Sequence, residues 1–391
     1  MSYLESEQIG VRCTYMRGGT SKGVYFLEHD LPPAGARRDA LLKRIMGTPD
    51  VMQIDGMGGT HLVTSKIAIV GPSSILDADI DYTFAQAELT EDVIDYTGNC
   101  GNISAGVGPF AIESGLVRPT GPVTQVRIHN TNTGKVMVAH CPVANGKPRV
   151  KGDYAIAGVP GTGAEIFLDY RLTVGAKTGR MLPTGNRVDV LELEDGTQLE
   201  TTLCDVANTI AFVRARDIGF TGSELPEDIN PHPQVVQKLR EIRGKAAVKL
   251  GFTSDWRRVD QDTPFLPFVV FVAPPEGYTA LSGTPTDADA MDLRARLVFM
   301  NRLHEAMAGT GSMCIAAASR VPGSIVNEAL GGDGMTKETL SIGHPNGVMT
   351  VQVKSRPANN EEGVEIDGLG FSRTARKIME GTVYVPASDA Y

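Results

Sequence analysis

The sequence has few cysteines, a single tryptophan and no long hydrophobic run. Its 391 residues contain five cysteines and one tryptophan. No stretch of 18 apolar residues occurs, so we expect no transmembrane helix and no membrane partner. The first residues, MSYLESEQIGVRC, lack the basic segment and apolar core of a secretory leader. We therefore expect a cytoplasmic protein.

The cysteines and histidines show no metal-binding pattern. No two cysteines form a C-x-x-C pair, and the five are far apart: Cys13, Cys100, Cys141, Cys204 and Cys314. This odd, scattered set argues against a disulfide framework and against a zinc site, so each is expected to be a free thiol. The seven histidines have no ligand spacing either. His344 in GHPNG is compatible with a cleft and, more readily, with a turn.

Blocks of positive charge are also absent. The formal net charge is -9, and no stretch interleaves a series of basic residues with aromatic ones. Nucleic acid is therefore not an expected partner. Any anionic ligand would have to be bound by a local group of residues, because the protein as a whole is negatively charged.

Alternating apolar residues dominate what is present. VTQVRIHN and KVMVAHCPV flank NTNTG, and RVDVLELE and QLETTLCDV flank a DG turn, which predicts two β-hairpins. TPFLPFVVFVAPP predicts a buried strand. Helical periodicity occurs in ARRDALLKRIMG, PQVVQKLREIRG and DADAMDLRARLVFMNRLHEAMAG. In the last of these, a helix would place Leu293, Leu297, Met300 and Met307 on one face.

The length favours two domains, and two segments of similar texture suggest that the domains share one design. GNCGNISAGVGPFAIESG lies in the first half and GTGSMCIAAASRVPG in the second. The glycine- and proline-containing segment 179–187, GRMLPTGNR, is the candidate linker.

Cys100 lies at the start of the first of these segments. A glycine-rich turn that leads into a helix leaves backbone N–H groups unpaired and suits a carboxylate. If the halves face each other, the two helix N-termini converge on one cleft. Because a helix N-terminus favours the thiolate, Cys100 is a candidate acid, base or nucleophile. The alternative is a small buried residue with no chemical role.

A second candidate is MRGGTSKGVYF, residues 16–26. It carries two cations and two hydroxyls within six positions: Arg17, Thr20, Ser21 and Lys22. This density suits carboxylate binding. The spacing does not fit a phosphate-binding G-x-x-x-x-G-K-[ST] loop. An ordinary turn is the alternative.

A third candidate is Lys66, which interrupts the apolar run LVTSKIAIV. In a strand it would share a face with Leu62, Thr64 and Ala68. Either its ammonium group extends to solvent at a sheet edge, or it is desolvated and suited to act as a base.

The motifs together resemble the PrpF family of isomerases, which includes methylaconitate cis-trans isomerase and 4-oxalomesaconate tautomerase. The resemblance rests on MRGGTSKG, the SK of VTSKIAIV, GNCGN, GTGSMCIAAA and RTARKIMEGTVYVP, and covers nearly the whole chain. It implies an α+β, diaminopimelate epimerase-like fold of two similar halves, each a curled, mostly antiparallel sheet around a central helix. The halves would span 1–184, completed by a returning strand at 376–391, and 185–375. No cofactor or metal is implied.

The epimerase itself has a cysteine before each central helix. Cys100 matches the cysteine before the first central helix. At the start of the second central helix the sequence reads AGTG, with Ala308 at the cysteine position. Cys314 lies six residues further along, too far to replace it. A two-thiol epimerase is therefore not supported, and the resemblance implies Lys66 as the partner of Cys100.

We therefore predict an isomerase that catalyses a 1,3-allylic proton transfer in an unsaturated di- or tricarboxylic acid such as 4-oxalomesaconate. Lys66 would remove a proton, and Cys100, opposite it, would return one or hold the anion. The predicted substrate-binding residues are Arg17, Thr20, Ser21, Lys22, Asn102, Ser104, Thr310, Gly311, Ser312 and Met313. A methylaconitate or aconitate isomerase and a non-catalytic carboxylate-binding protein are the alternatives. A homodimer is one candidate assembly.

Overall fold

The computed structural model describes residues 7–96, 99–156, 158–175 and 177–387. Gly98 of the GNCGN motif and residues 388–391 of the predicted returning strand lie outside these ranges. The chain divides into a first unit, residues 1–169 with 372–391, and a second unit, residues 170–371.

In its described residues, the first unit contains two α-helices and ten strands. Numbered along the chain, its elements are β1 Gln8–Gly18, β2 Ser21–Leu27, α1 Ala36–Met46, β3 Lys66–Pro72, β4 Ile80–Ala87, β5 Ile94–Asp95, α2 Gly101–Glu113, β6 Val123–Asn130, β7 Lys135–Ala144, β8 Lys147–Pro148, β9 Ile166–Asp169 and β21 Ala375–Pro386.

The strands of the first unit form a mixed sheet around α2. β1 pairs antiparallel with β21 and with β2. From β2 onwards the neighbours are β3, β4, β6, β7 and β9, with parallel pairing only at β2–β3 and β4–β6. Eleven of the thirteen residues of α2 are buried. Helix α1 covers the opposite face through an apolar cluster that includes Val24, Phe26 and Leu42.

The second unit has the following elements: β10 Asp189–Glu192, β11 Gln198–Val206, β12 Asn208–Arg214, α3 Pro226–Ile229, α4 Pro233–Lys249, α5 Val259–Asp262, β13 Phe268–Ala273, β14 Tyr278–Thr279, β15 Pro285–Thr286, β16 Leu293–Phe299, β17 Arg302–Leu303, α6 Gly309–Ser319, α7 Ile325–Glu328, β18 Thr339–His344, β19 Gly347–Pro357 and β20 Val364–Arg373. The last two residues of β20 fall in the first unit.

The second unit repeats the pairing pattern of the first. The order β11, β12, β13, β16, β18, β19 is joined by antiparallel pairs, with parallel pairing only at β12–β13 and β16–β18. Helix α6 takes the place of α2, with ten of its eleven residues buried. The predicted α+β fold of two similar halves, each with a sheet around a central helix, is confirmed.

Most of the predicted elements are present. Both hairpins form, as β6–β7 and β10–β11. The buried strand is β13, and all six of its residues are buried. Helices α1 and α4 lie in the two shorter periodic segments, and α2 and α6 begin in the glycine-rich segments. No described helix is long and apolar enough to cross a membrane.

The predicted helix in DADAMDLRARLVFMNRLHEAMAG is wrong. The segment forms β16 and β17, which pair with each other through Val298 and Leu303. Met300 and Asn301, between them, both have positive φ angles, of 48° and 61°. Two consecutive residues in this conformation make a tight hairpin turn and cannot continue a helix.

The unit boundary falls at 169/170, whereas the sequence placed it at 184/185. The intervening residues are hydrogen-bonded within the second unit. The Gly175 amide donates to the Asp205 carbonyl at 2.8 Å, and the Asp205 amide donates to Met181 at the same distance. Leu182 is fully buried. The candidate linker at 179–187 is therefore part of the packed second unit.

Candidate active site

Lys66 is the first residue of β3 in the first unit. The strand predicted to precede it is absent, because Leu62–Thr64 form a 3-10 turn. Side chains hold this turn: Thr64 Oγ1 donates to the Gly59 carbonyl at 2.7 Å, and Gln86 Nε2 donates to the Leu62 carbonyl at 3.1 Å. Lys66 consequently lies at the N-terminal end of β3 and not within a longer strand.

β3 is an interior strand, so Lys66 is not at a sheet edge. Its backbone neighbours are Gly23 of β2 on one side and Gln86 of β4 on the other. The side chain is half-buried, and its Nζ lies 5.3 Å from the centre of the Phe84 ring. A lysine here is partly removed from water and held by an aromatic face.

The lysine and the candidate cysteine are in direct contact. Lys66 Nζ donates a hydrogen bond to Cys100 Sγ at 3.4 Å. Cys100, half-buried, is the N-cap residue of α2, and no side chain caps the helix there. The first turn of α2 carries no acidic residue. The positive end of the helix dipole is therefore directed at the Cys100 thiol, beside Lys66 Nζ.

This contact corrects the expectation that Cys100 lies opposite Lys66. Two groups that approach a planar substrate from opposite faces, each at about 3–3.5 Å, must be separated by roughly twice that distance. Nζ and Sγ are only 3.4 Å apart. Groups this close together could reach a planar substrate only from the same side.

The β1–β2 turn packs closely against the first turn of α2, and this requires glycine. A Cβ on Gly18 would lie 2.5 Å from the carbonyl oxygen of Asn102. A Cβ on Gly19 would lie 2.2 Å from Asn102 Oδ1, and Gly19 also has a positive φ of 53°. Any residue larger than glycine at these two positions would push the turn away from the helix.

Asn102 is the centre of a hydrogen-bonded cluster at this turn. Its Nδ2 donates to Thr20 Oγ1 at 3.0 Å, and its Oδ1 accepts from the Thr20 amide at 3.4 Å. Oδ1 also accepts from Arg373 Nε at 3.0 Å. Arg373 was not among the predicted site residues, although it is the first residue of the RTARKIMEG motif. Only the return of the chain to the first unit brings it to α2.

Strand alternation separates the other residues predicted in MRGGTSKG. Ser21 is buried and shares the face of Tyr25, whose hydroxyl donates to the Ile103 carbonyl of α2 at 2.7 Å. Arg17 of β1 pairs with Lys22 of β2. By strand alternation, the side chains of both residues lie on the face of the sheet opposite to that of Ser21 and Tyr25. Lys22 Nζ lies over the Tyr15 ring at 5.6 Å.

Arg17 forms hydrogen bonds to the backbone. Its Nη1 donates at 2.8 Å to the carbonyls of Gly19 and Thr374, which fastens the β1–β2 turn to the start of β21. Burial lowers the pKa of Arg17, and the nearby Arg376 lowers it further. A role of Arg17 or Lys22 in substrate binding stays a prediction.

Ser104 lies in α2 and supports the helix start. It is fully buried, and its hydroxyl donates to the Cys100 carbonyl at 2.9 Å. The Ser104 amide donates to the same carbonyl at 2.9 Å. Ser104 therefore fixes the backbone that carries the thiol.

In the second unit, Ala308 is the N-cap residue of α6, the position that Cys100 has in α2. Cys314 lies inside α6, fully buried, and its Sγ donates to the Cys204 carbonyl at 3.4 Å. Burial raises the pKa of Cys314 well above its usual range. The thiol is thus unsuited to replace a cysteine at position 308.

The remaining predicted residues form the first turn of α6 and are buried. Asn208 Nδ2 donates to Thr310 Oγ1 at 2.7 Å, and Ser312 Oγ donates to the Gly309 carbonyl at 2.8 Å. A Cβ on Gly311 would lie 2.6 Å from Leu297. Met313 is fully buried. Whether these residues touch substrate stays a prediction.

Two other cysteines of the first unit are more buried than Cys100. Cys13 and Cys141 are both buried, and burial raises the pKa of Cys13 and raises that of Cys141 to about 12.

In the described part of the chain, no three His, Cys, Asp or Glu side chains are grouped so that they could hold a metal ion.

The family of the chain follows from comparison with known proteins. The family described as "PrpF protein" matches residues 8–386. The chain belongs to the PrpF family. It is 47% identical to 3-methylitaconate isomerase of Eubacterium barkeri over 97% of this chain and 98% of that protein. It is 40% identical to 2-methyl-aconitate isomerase of Shewanella oneidensis, with the same coverage of both chains.

Two further comparisons agree. The chain is 38% identical to 4-oxalomesaconate tautomerase of Pseudomonas putida over 97% of each chain. A crystal structure of methylitaconate-delta-isomerase superposes with a TM-score of 0.86 at 46% identity, covering 99% of this chain and 98% of the other. The prediction that this PrpF protein is an isomerase is confirmed.

Proposed function

We propose that this PrpF protein moves a carbon–carbon double bond by 1,3-allylic proton transfer in an unsaturated di- or tricarboxylic acid, without a cofactor. The observation that supports this most directly is the hydrogen bond from Lys66 Nζ to Cys100 Sγ at 3.4 Å. An allylic shift removes a proton from one carbon and returns a proton two carbons away. Two groups in contact that can each carry a proton are able to divide these two steps between them.

In this mechanism, the unprotonated Lys66 amine removes a proton from the carbon next to the double bond. The electron pair delocalises over the allylic system into the adjacent carboxylate. The Cys100 thiol then donates its proton to the far carbon. This leaves an ammonium group and a thiolate, and transfer of one proton from Nζ to Sγ along their hydrogen bond restores the starting pair.

Negative charge develops on the substrate carboxylate during the reaction. The first turn of α2 has backbone N–H groups without an intrahelical partner, no side-chain cap and no acidic residue, so it is suited to stabilise this charge. Because Ser104 and the glycine contacts hold the turn in place before substrate binds, little reorganisation is needed.

Among substrates, we favour a methyl-branched unsaturated acid. The identity to 3-methylitaconate isomerase is 47%, and that to 4-oxalomesaconate tautomerase is 38%. The second value is still substantial over almost the whole chain, so 4-oxalomesaconate is the second candidate substrate.

The test is a panel of 3-methylitaconate, 2-methylaconitate and 4-oxalomesaconate, each incubated with the purified enzyme and followed by proton NMR. We expect a shifted double bond and the highest kcat/KM with one of the two methyl-branched acids. The highest kcat/KM with 4-oxalomesaconate would reverse the order of the candidates. No turnover of any of the three would contradict the proposed function.

A further inference from the structure

Arg296 is an arginine of β16 whose side chain is completely buried. Its Nε donates to the Glu224 carbonyl at 2.6 Å, and its Nη1 donates to the Ala295 and Gly343 carbonyls at 3.1 and 3.2 Å. Its Nη2 has no hydrogen-bond partner among the described residues. A buried donor without an acceptor is rare in folded proteins, because it has lost its bonds to water and gained none in return.

The charge of this guanidinium is not neutralised by an ion pair with any residue that the structure describes. Its three acceptors are uncharged backbone carbonyls, and its remaining contact is the Tyr278 ring, whose centre lies 4.9 Å away. The Glu224 carboxylate accepts instead from the Thr221 and Gly222 amides, at 2.6 and 2.9 Å. Burial lowers the pKa of Arg296 to about 10, so the group still carries its charge at neutral pH.

Two other buried arginines of the second unit are neutralised by carboxylates. Arg243 Nη1 lies 2.8 Å from Asp260, and Arg294 Nη2 lies 2.7 Å from Glu276. Arg243 also has one nitrogen without a partner, Nε, but its charge is compensated. Arg296 differs from both because it combines an uncompensated charge with an unpartnered nitrogen.

These properties favour a small inorganic anion as the partner of Nη2. A water molecule could accept the hydrogen bond, but it would leave a positive charge uncompensated in the protein interior, which is costly. A larger organic anion does not suit the tight packing beside Arg296. A Cβ on Gly343 would lie 2.5 Å from Met291 Sδ and 3.2 Å from the Tyr278 ring.

We propose that Arg296 binds a chloride-sized anion through Nη2 inside the second unit. The site is distinct from the predicted residues of α6. Leu297, the next residue of β16, faces Gly311 of α6, so strand alternation places Arg296 on the other face of β16. The anion neutralises a buried charge, and its role is therefore to stabilise the second unit and not to take part in the reaction.

The test is the thermal unfolding temperature in sodium chloride and in sodium gluconate at equal ionic strength, so that screening of surface charges is the same in both salts. The variant is Arg296→Met, which removes the guanidinium and keeps an apolar stem. The matched control is Arg320→Met. Arg320 is also buried, but both of its terminal nitrogens have acceptors, Ser319 Oγ at 3.0 Å and the Lys337 carbonyl at 2.9 Å.

We expect chloride to stabilise the wild type and Arg320→Met, because a ligand that binds only the folded state raises its stability. The unfolding temperature should rise by roughly 2–6 °C for each tenfold increase in chloride above the dissociation constant. Arg296→Met should unfold at the same temperature in both salts.

A crystal of the wild type grown in sodium bromide gives an independent measurement, which also decides the matter if Arg296→Met does not fold. We expect an anomalous bromide peak in hydrogen-bond contact with Arg296 Nη2. The same difference between the two salts in the wild type and in Arg296→Met would overturn the proposal. A crystal with water and no bromide at Nη2 would also overturn it.

Discussion

At the scale of single residues, the account depends on the contact between Lys66 and Cys100. The sequence predicted both residues from their local contexts, and the structure adds that Nζ and Sγ are 3.4 Å apart. Sequence could not give this distance, because 33 residues separate the two. The contact arises because β3 is paired next to β2, against which α2 packs.

Replacement of Lys66 by methionine should remove the base while keeping an apolar stem of similar length. We expect Lys66→Met to fold and to lower kcat roughly 100-fold or more, the usual range for loss of a general base. The measurement is kcat with the panel substrate, together with circular dichroism. Lys135→Met, at the half-buried start of β7, serves as the control and should keep wild-type turnover. Near-normal kcat in a folded Lys66→Met enzyme would refute the role of the lysine.

Replacement of Cys100 by serine should be less damaging. A hydroxyl can still accept a hydrogen bond from Nζ and donate a proton, although it is a poorer acid than a thiol. We therefore expect Cys100→Ser to keep more activity than Lys66→Met in the same assay. If Cys100→Ser is the less active variant, the cysteine rather than the lysine carries the larger part of catalysis.

At the scale of elements, the segments with one consistent periodicity could be predicted and the ambiguous ones could not. The hairpins, β13 and the small-residue helices α2 and α6 followed from local pattern. β16 did not, because Leu293, Leu297 and Met300 fit a helical spacing while the alternation of Leu293, Ala295 and Leu297 fits a strand. Tertiary pairing decided between the two.

The composition of α2 has a testable consequence. Gly106 faces Tyr25, and a Cβ at this position would lie 2.4 Å from the tyrosine hydroxyl. Alanine normally stabilises a helix interior relative to glycine. Here we expect Gly106→Ala to lower the free energy of unfolding by about 1–3 kcal/mol, as overpacking of a core does.

Urea denaturation measures this effect. Tyr25→Phe removes the hydroxyl oxygen that is nearest to the added Cβ, so the double variant should lose less than the sum of the two single variants. Additive losses would show that the hydroxyl is not what excludes a side chain at position 106.

At the scale of the whole molecule, the two units share one succession of parallel and antiparallel pairs, and each surrounds a buried helix. The similarity of two glycine-rich segments was enough to predict this repeat. The unit boundary was harder to predict, because the glycines and prolines of 179–187 are typical of linkers, although this segment is packed.

The pH dependence of the free energy of unfolding should reveal the protonation of His344, a buried histidine of the second unit. Burial, together with the nearby Arg296 and His304, lowers the pKa of His344 to about 4. Its Nδ1 accepts from the Asn346 amide at 3.2 Å, as a neutral imidazole does. The unfolded chain, with a histidine pKa near 6.5, binds this proton more readily.

Stability should therefore fall as the pH drops from about 6.5 to about 4, by about 3 kcal/mol from this group. Urea denaturation at a series of pH values measures the loss. His344→Gln, which cannot titrate, should show a loss that is smaller by about that amount. Identical pH profiles for the variant and the wild type would contradict the buried, neutral state of His344.

The central claim is that substrate is isomerised by proton transfer at the Lys66–Cys100 pair, and isomerisation in heavy water tests it most directly. Lysine and cysteine protons exchange with solvent, so the proton returned to substrate should be a deuteron. We predict a product whose double bond has moved by one position and which carries deuterium at the carbon that gains hydrogen, as seen by proton and deuterium NMR. A product with an unmoved double bond and no deuterium would contradict the account.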